Sequence, residues 1–204
     1  MRCFDLSVFE APLRVPELRL GPVLLRPFLA SDLPLVRQAA TDPYIPAVTS
    51  VPSAYTDDGG RAFIERQQDL ALEGHGYPFV IADSADPRQA VGGLGLWLHE
   101  IESGRASIGY WVVPPARGRK VAGWALRGVV EFAFDVLAIP RLHLFIEPWN
   151  IASQRTAEFA GFTQEGLLHE WERINDVQRD VYAYALVREQ WLTYGTAGHT
   201  DAME

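Results

Sequence analysis

The chain has 204 residues, 48% of them apolar and 22% charged, with 26 acidic against 18 basic side chains and a formal net charge of −8. That balance leaves no broad basic face for duplex nucleic acid, and no run of roughly 18 apolar residues offers a membrane span. One cysteine, Cys3, excludes an internal disulfide and a cysteine-rich metal site.

The length sets a single domain over 1–204 as the default. Its expected core covers about 18–191, with an N-terminal arm at 1–16 and a frayed tail at 194–204. The opening MRCFDLSVFEAPLRVPEL carries charges and prolines where a secretory signal needs an unbroken apolar run, so a cytoplasmic protein is expected. LRLGPVLLRPF, from Leu18 to Phe28, reads as a strand interrupted at Gly21–Pro22. Ser31 offers an N-cap and Pro34 falls in the first turn of a short helix, with Leu33, Val36 and Ala40 at three- and four-residue steps. Residues 42–53 hold three prolines and read as loop. Thr56 caps a second helix with Phe63, Ile64, Gln67, Leu70 and Ala71 on one face, and Gly74 and Gly76 close it.

YPFVIAD (Tyr77–Asp83), AVGGLGLWL (Ala90–Leu98) and Ala106–Val113 then read as three strands joined by short turns, an antiparallel meander. Glycines in the second strand mark a bulge or the close approach of a backbone or ligand. The helix after Gly118 is apolar nearly all round, with Arg127, Glu131 and Asp135 as one narrow polar stripe, so it should lie flat on the sheet. It breaks at Ile139–Pro140. Leu142–Ile146 is the next strand, Asn150 opens a short helix that glycine closes, and Leu167–Ile174 and Val177–Leu186 flank an Asn175–Asp176 turn. The order defines a mixed α/β domain rather than a doubly wound one.

The chemistry concentrates where a strand meets a helix. Pro114 and Pro115 end the third meander strand, and Arg117-Gly118-Arg119-Lys120-Val121-Ala122-Gly123 follows. A helix start leaves backbone N–H groups unpaired and carries partial positive charge. Small residues admit an anion and three basic residues attract one, so the loop suits a phosphate or pyrophosphate. It is neither a GxxxxGK[ST] loop nor a GxGxxG turn. A second helix start, at Asn150, follows the next strand, and two such junctions at one end of a sheet can form one cleft.

The loop resembles the coenzyme A motif R/Q-x-x-G-x-G/A of the GNAT acyltransferase superfamily. Arg117 stands at its first position and Ala122 at its last, while Lys120 departs from the central glycine. PWNIASQRTAEFAGFTQEGLLHE resembles the N-x-x-S-x-x-x-x-E-x-x-G-F-x-x-E-G run of the RimJ/RimL-like branch, with Asn150, Ser153, Glu158, Gly161, Phe162, Glu165 and Gly166 in register. LLRPFLASDL and RDVYAYALVREQW resemble that branch too, so the likeness covers about 18–191.

The resemblance implies the GNAT fold: a mixed, mostly antiparallel sheet whose two central parallel strands, here Ala106–Val113 and Leu142–Ile146, splay into a V-shaped gap. Acetyl-CoA is the implied cosubstrate, with no metal. The pantetheine arm would meet the backbone of Trp111, Val112 and Val113. The pyrophosphate would sit on Gly118, Arg119, Lys120, Val121, Ala122 and Gly123, and Asn150 would hold the pantetheine amide. An attacking amine must be neutral, so a base takes its proton. The oxyanion needs a donor, such as a backbone N–H near Val113. Family members often protonate the leaving thiolate from a tyrosine on the helix after the asparagine. Here no tyrosine lies between Tyr110 and Tyr182, and Ser153 matches the serine that serves in RimL-like enzymes. Glu172 is the candidate base, with Glu170 and His169 nearby; strand alternation would set Glu170 and Glu172 on one face. His75 and His99 have no partner at metal-ligand spacing.

Three readings stay open. In the first, the chain acetylates the α-amine of a protein N-terminus, a ribosomal protein being the family precedent. In the second, the acceptor is a small amine such as an antibiotic or metabolite. The third is a coenzyme A-binding module with little catalysis. Pro43, Tyr44, Trp97, Trp111 and Trp171 are available to line an aromatic acceptor cleft, and glycine-lightened, aromatic strand faces suit a homodimer interface.

Overall fold

The structure is a computed structural model that describes residues 4–195; Cys3 and residues 196–204 lie outside the described part. Eight strands form one sheet in the order β1-β2-β3-β4-β5-β6-β8-β7. They are β1 (Leu18–Leu20), β2 (Val23–Arg26), β3 (Gly76–Asp83), β4 (Ala90–Trp97), β5 (Arg105–Val112), β6 (Arg141–Ile146), β7 (Thr163–Ile174) and β8 (Val177–Val187). Every neighbouring pair is antiparallel except β5 and β6. The helices are α1 (Leu33–Ala39), α2 (Ile45–Val48), α3 (Asp57–Leu72), α4 (Val121–Glu131), α5 (Ile151–Phe159) and α6 (Arg188–Gly195).

Gly21–Pro22 is a hairpin turn rather than an interruption: Leu20 pairs with Val23, and Gly21 has φ +54°. The N-terminal arm is packed down, for Phe9 and Leu13 are buried and the Leu13 N–H donates to the Ala71 carbonyl at 2.9 Å. Ser31 does not cap α1. It sits in a short 3-10 turn, Ala30–Asp32, that leads straight into the helix. Asp32 is committed elsewhere, accepting two bonds from buried Arg26 at 2.6 and 2.8 Å and one from the Leu29 N–H. Residues 42–53 are not all loop, since α2 forms within them. Thr56 does cap α3, accepting from the Gly59 N–H at 3.0 Å. Gly74, at φ +83°, ends it with the paired bonds His75 N–H to Leu70 carbonyl and Gly74 N–H to Ala71 carbonyl.

Strand β3 is buried along nearly its whole length, so both faces of the sheet are covered. Tyr77 and Phe79 share one face and meet Phe132 just past α4. The other face packs on α1 and α3, which contact β4 and β3. Helix α4 is largely buried and runs into a π-helical turn, Phe132–Val136, before the break. The β7–β8 hairpin turns at Asn175–Asp176, both at positive φ, as the Asn-Asp pair predicts. Helix α6 runs to Gly195 and Trp191 packs on Phe134, while the expected frayed tail falls, from residue 196 on, outside the described residues.

Strand alternation fails in β7. Leu168 pairs with Val181 and Glu172 with Arg179, so three residues, His169, Glu170 and Trp171, stand opposite Asp180 alone. Glu170 adopts φ +50°, and Asp180 holds the bulge by accepting the Glu170 N–H at 2.9 Å and contacting His169 Nδ1 at 3.0 Å. Glu170 and Glu172 therefore do not share a regular strand face.

Candidate active site

The parallel pair is short. Arg105, Ala106 and Ser107 pair with Arg141, Leu142 and His143, and beyond them the strands part. The Val113 N–H donates to Val91 on the β4 side at 3.0 Å. By alternation Trp111 turns its backbone edge the same way, and Tyr110 and Val112 turn theirs to the gap. Of the expected pantetheine contacts, Val112 alone presents its backbone edge there, and its carbonyl accepts from Arg117 Nε at 2.9 Å.

A cavity of about 860 Å³ opens from the gap toward the basic loop, lined by Arg117, Gly118, Lys120, Val121, Ala122, Gly123 and, from α5, Asn150, Ser153 and Arg155. Lys120 is the N-cap residue of α4 at φ +58°, and its carbonyl accepts the Trp124 N–H. The amides of Val121, Ala122 and Gly123 are thus the helix-start donors. The motif's central glycine stands at this left-handed position, which glycine adopts without strain and lysine does not. A Cβ placed on Gly118 would meet nothing within 4 Å. That open space, beside exposed Arg119 and Lys120, fits a pyrophosphate. Gly123 is small for a different reason: a Cβ there would lie 2.7 Å from the Phe159 ring. Arg117 is engaged in a clamp. Its Nη2 donates to buried Asp42 at 2.7 Å, and Asp42 also caps the Tyr44 and Ile45 amides at 2.9 Å. Burial pushes the Asp42 carboxyl up, but those three donors outweigh it and hold the group below the ordinary carboxylate value.

A second cavity, about 820 Å³, lies on the far side of the splay, with Trp97, Trp111, Phe145, Glu147 and Glu172 among its walls. The two cavities share Tyr44, Val48, Tyr110, Trp111, Asn150 and Ser153. At that junction Asn150 caps α5 by accepting the Ser153 N–H at 3.1 Å. The Tyr110 hydroxyl donates to the Ser153 carbonyl at 3.2 Å, and burial raises its pKa. The Tyr44 hydroxyl donates to Glu147 at 2.7 Å, and its ring meets Trp149 edge-on at 4.9 Å. Burial, then the Glu147 carboxylate, push the Tyr44 phenol far above its usual range.

The structure thus gathers the loop residues except Arg119, with Asn150 and Ser153, around the first cavity and brings Glu172 to the second, while Glu170 stands in the bulge. Tyr44, Trp97 and Trp111 line the second cavity and Pro43 the first; Trp171 lines neither and meets the Phe145 ring at a tilt. Sequence reasoning missed Asp42, Tyr110 and Glu147. The one signal for Glu147 is a carboxylate at a strand end three residues before Asn150; it is 6% exposed. Part of the second motif is structural. Gly161, at φ +93°, and Phe162 close α5 with bonds to Glu158 and Ala157, and Glu165 pairs with Arg141.

Two cavities of similar size thus meet over splayed parallel strands, one of them beside a basic helix start. Residues 23–163 match the acetyltransferase (GNAT) domain model, and the chain belongs to this family of N-acetyltransferases. It is 28% identical over 169 residues to an uncharacterized N-acetyltransferase, p20, of Bacillus licheniformis, covering 82% of this chain and 93% of that one. Among solved structures it resembles Mycobacterium smegmatis RimJ in complex with CoA-disulfide (TM-score 0.73, 23% identity, 90% of this chain and 95% of the other). It also resembles the microcin C7 self-immunity acetyltransferase MccE in complex with acetyl-CoA and AMP (TM-score 0.73, 20% identity, 90% and 99%).

Proposed function

We propose that the protein transfers an acetyl group from acetyl-CoA to a primary amine by direct attack in a ternary complex. The meeting of the two cavities at Tyr110, Trp111, Asn150 and Ser153 carries this reading. The pyrophosphate binds at Gly118 and the amides of Val121–Gly123, with Arg119 and Lys120 supplying charge. Arg117 shapes the loop through Asp42. The thioester carbonyl comes to rest at the junction. There the amine forms the C–N bond, the C–S bond breaks, and the thiolate takes a proton from the Ser153 or Tyr110 hydroxyl. Glu172 and Glu147 are the carboxylates at hand for the amine's proton.

Two acceptor classes fit. The α-amine of a polypeptide N-terminus is supported by the likeness to RimJ. A small amine is supported by the aromatic walls of the second cavity. Calorimetric titration with acetyl-CoA, followed by thiol release over a panel of peptides and small amines, tests the reading. Micromolar binding and amine-dependent release are expected; binding without release from any amine would leave a coenzyme A-binding module instead.

A further inference from the structure

Strand β4 runs Gly92, Gly93, Leu94, Gly95, and its partner β5 carries Gly109 opposite Gly95. Glycine weakens a strand interior, so a run at the sheet centre calls for a cause. The cause is tryptophan. A Cβ on Gly95 would fall 2.1–2.8 Å from Trp97 Cζ2, Cε2 and Nε1, and one on Gly93 2.8–2.9 Å from the matching atoms of Trp111. Both indoles are seated against bare backbone, and both stay partly exposed as walls of the second cavity. Trp111 belongs to the junction with the donor cavity. Trp97 lies four pairs further along the ladder, about 13 Å at the usual rise.

The reacting end of this aromatic wall is acidic. Glu147 is buried, and its hydrogen-bond partner is a neutral phenol, Tyr44. Glu172 is close enough to raise the Tyr44 pKa by its charge. Among the described residues no lysine, arginine or histidine forms an ion pair with either carboxylate. A buried carboxylate wants a cation, and the arriving acceptor is an ammonium.

Resting on the reading of this cavity as the acceptor cleft, we propose that the acceptor is a primary ammonium carried a few bonds from an aromatic ring: Glu147 binds the ammonium and the Trp97–Trp111 wall binds the ring. One ammonium proton passes to Glu147 and on to solvent. The freed nitrogen pair forms the C–N bond as the C–S bond breaks, the Ser153 or Tyr110 hydroxyl protonates the thiolate, and the second nitrogen proton restores that hydroxyl. An aralkylamine and a peptide beginning with Phe, Tyr or Trp both carry this chemistry.

The test measures kcat/KM for propylamine, phenethylamine, a glycine-first peptide and a phenylalanine-first peptide, on wild type, Glu147→Gln and Trp97→Phe. Each aromatic acceptor should exceed its partner by on the order of thirtyfold, and the better of the two names the source. Glu147→Gln, which still accepts from Tyr44, should lower every kcat/KM by about a hundredfold or more. It should also abolish the acidic limb of the pH profile and leave the acetyl-CoA Kd within about twofold. Trp97→Phe should narrow the aromatic preference several-fold. Equal rates for aromatic and aliphatic amines, or an unaltered rate and pH profile in Glu147→Gln, would overturn the proposal. The wild-type panel decides the first point without any variant. Acetyl-CoA that fails to bind, or turnover with no amine, would instead overturn the acetyltransfer reading on which this one rests.

Discussion

Lys120 holds a position that the family motif gives to glycine, and its cost can be separated from its use. Its φ of +58° puts the side chain in the left-handed region at the start of α4, where a non-glycine residue is disfavoured by about 1–2 kcal/mol. Lys120→Gly removes that strain but gives the unfolded chain more freedom, an offset of roughly 0.4–1 kcal/mol. The net gain is about 0.5–1 kcal/mol, or roughly 1–4 °C in Tm for a chain this long. Lys120→Ala keeps the strain and should melt below Lys120→Gly. Both variants lose the ammonium at the mouth of the donor cavity. At about 1 kcal/mol for a charge some 4 Å from a phosphate in water, the acetyl-CoA Kd should rise about fivefold in each, and less at high salt. Melting curves for the three proteins and titrations at two salt concentrations check both halves. Lys120→Gly melting no higher than Lys120→Ala would refute the strain argument. Wild-type affinity in both variants would refute the placement of the pyrophosphate.

Ser153→Ala should lower kcat well before it alters acetyl-CoA affinity, because its cap to Asn150 uses the backbone N–H, which alanine keeps; rapid-quench rates and titration separate the two. Asp42→Asn should cost about 2–3 kcal/mol by weakening the clamp to Arg117, read as a shift in denaturant midpoint. The Asp42 carboxyl titrates lower in the folded chain than unfolded. Its stabilisation is therefore full above about pH 4 and is lost as pH falls through the depressed native pKa, a slope that Asp42→Asn should flatten. Gly95→Ala should destabilise by about 1–3 kcal/mol, since the new methyl displaces the Trp97 indole; a mutant as stable as wild type would show the indole free to move.

Local chemistry made much of the fold legible. Thr56, Gly74 and the Asn175–Asp176 turn act within a few residues, and each stands where its sequence signal puts it. The loop at 117–120 and the helix start at Val121 likewise stand where the sequence sets them. Contacts across long stretches of chain gave no such signal. Arg117 reads as a phosphate ligand because its partner, Asp42, is 75 residues away, and Glu147 goes unremarked because Tyr44 is 103 residues away. The glycines of β4 announced a close approach but not the indoles that make it. The bulge at His169–Trp171 was hidden because Asp180, which holds it, lies on the partner strand.

Asp42 and Tyr44 lie two residues apart at the entry to α2, yet they grip different sites. Asp42 ties the donor loop through Arg117, and Tyr44 ties the acceptor carboxylate through Glu147. Asp42 also accepts from the Tyr44 amide, so the two grips share one turn of backbone. A shift of the loop that Arg117 anchors, on pyrophosphate binding, would reach Glu147 through that turn. Acetyl-CoA bound first would then hold the acceptor carboxylate in place before the amine arrives, which favours an ordered ternary complex. In Asp42→Asn the two sites should bind more independently. Product-inhibition patterns should move from ordered toward random while the acetyl-CoA Kd changes little. A wild-type enzyme that already binds its substrates in random order would show that the shared turn carries no coupling.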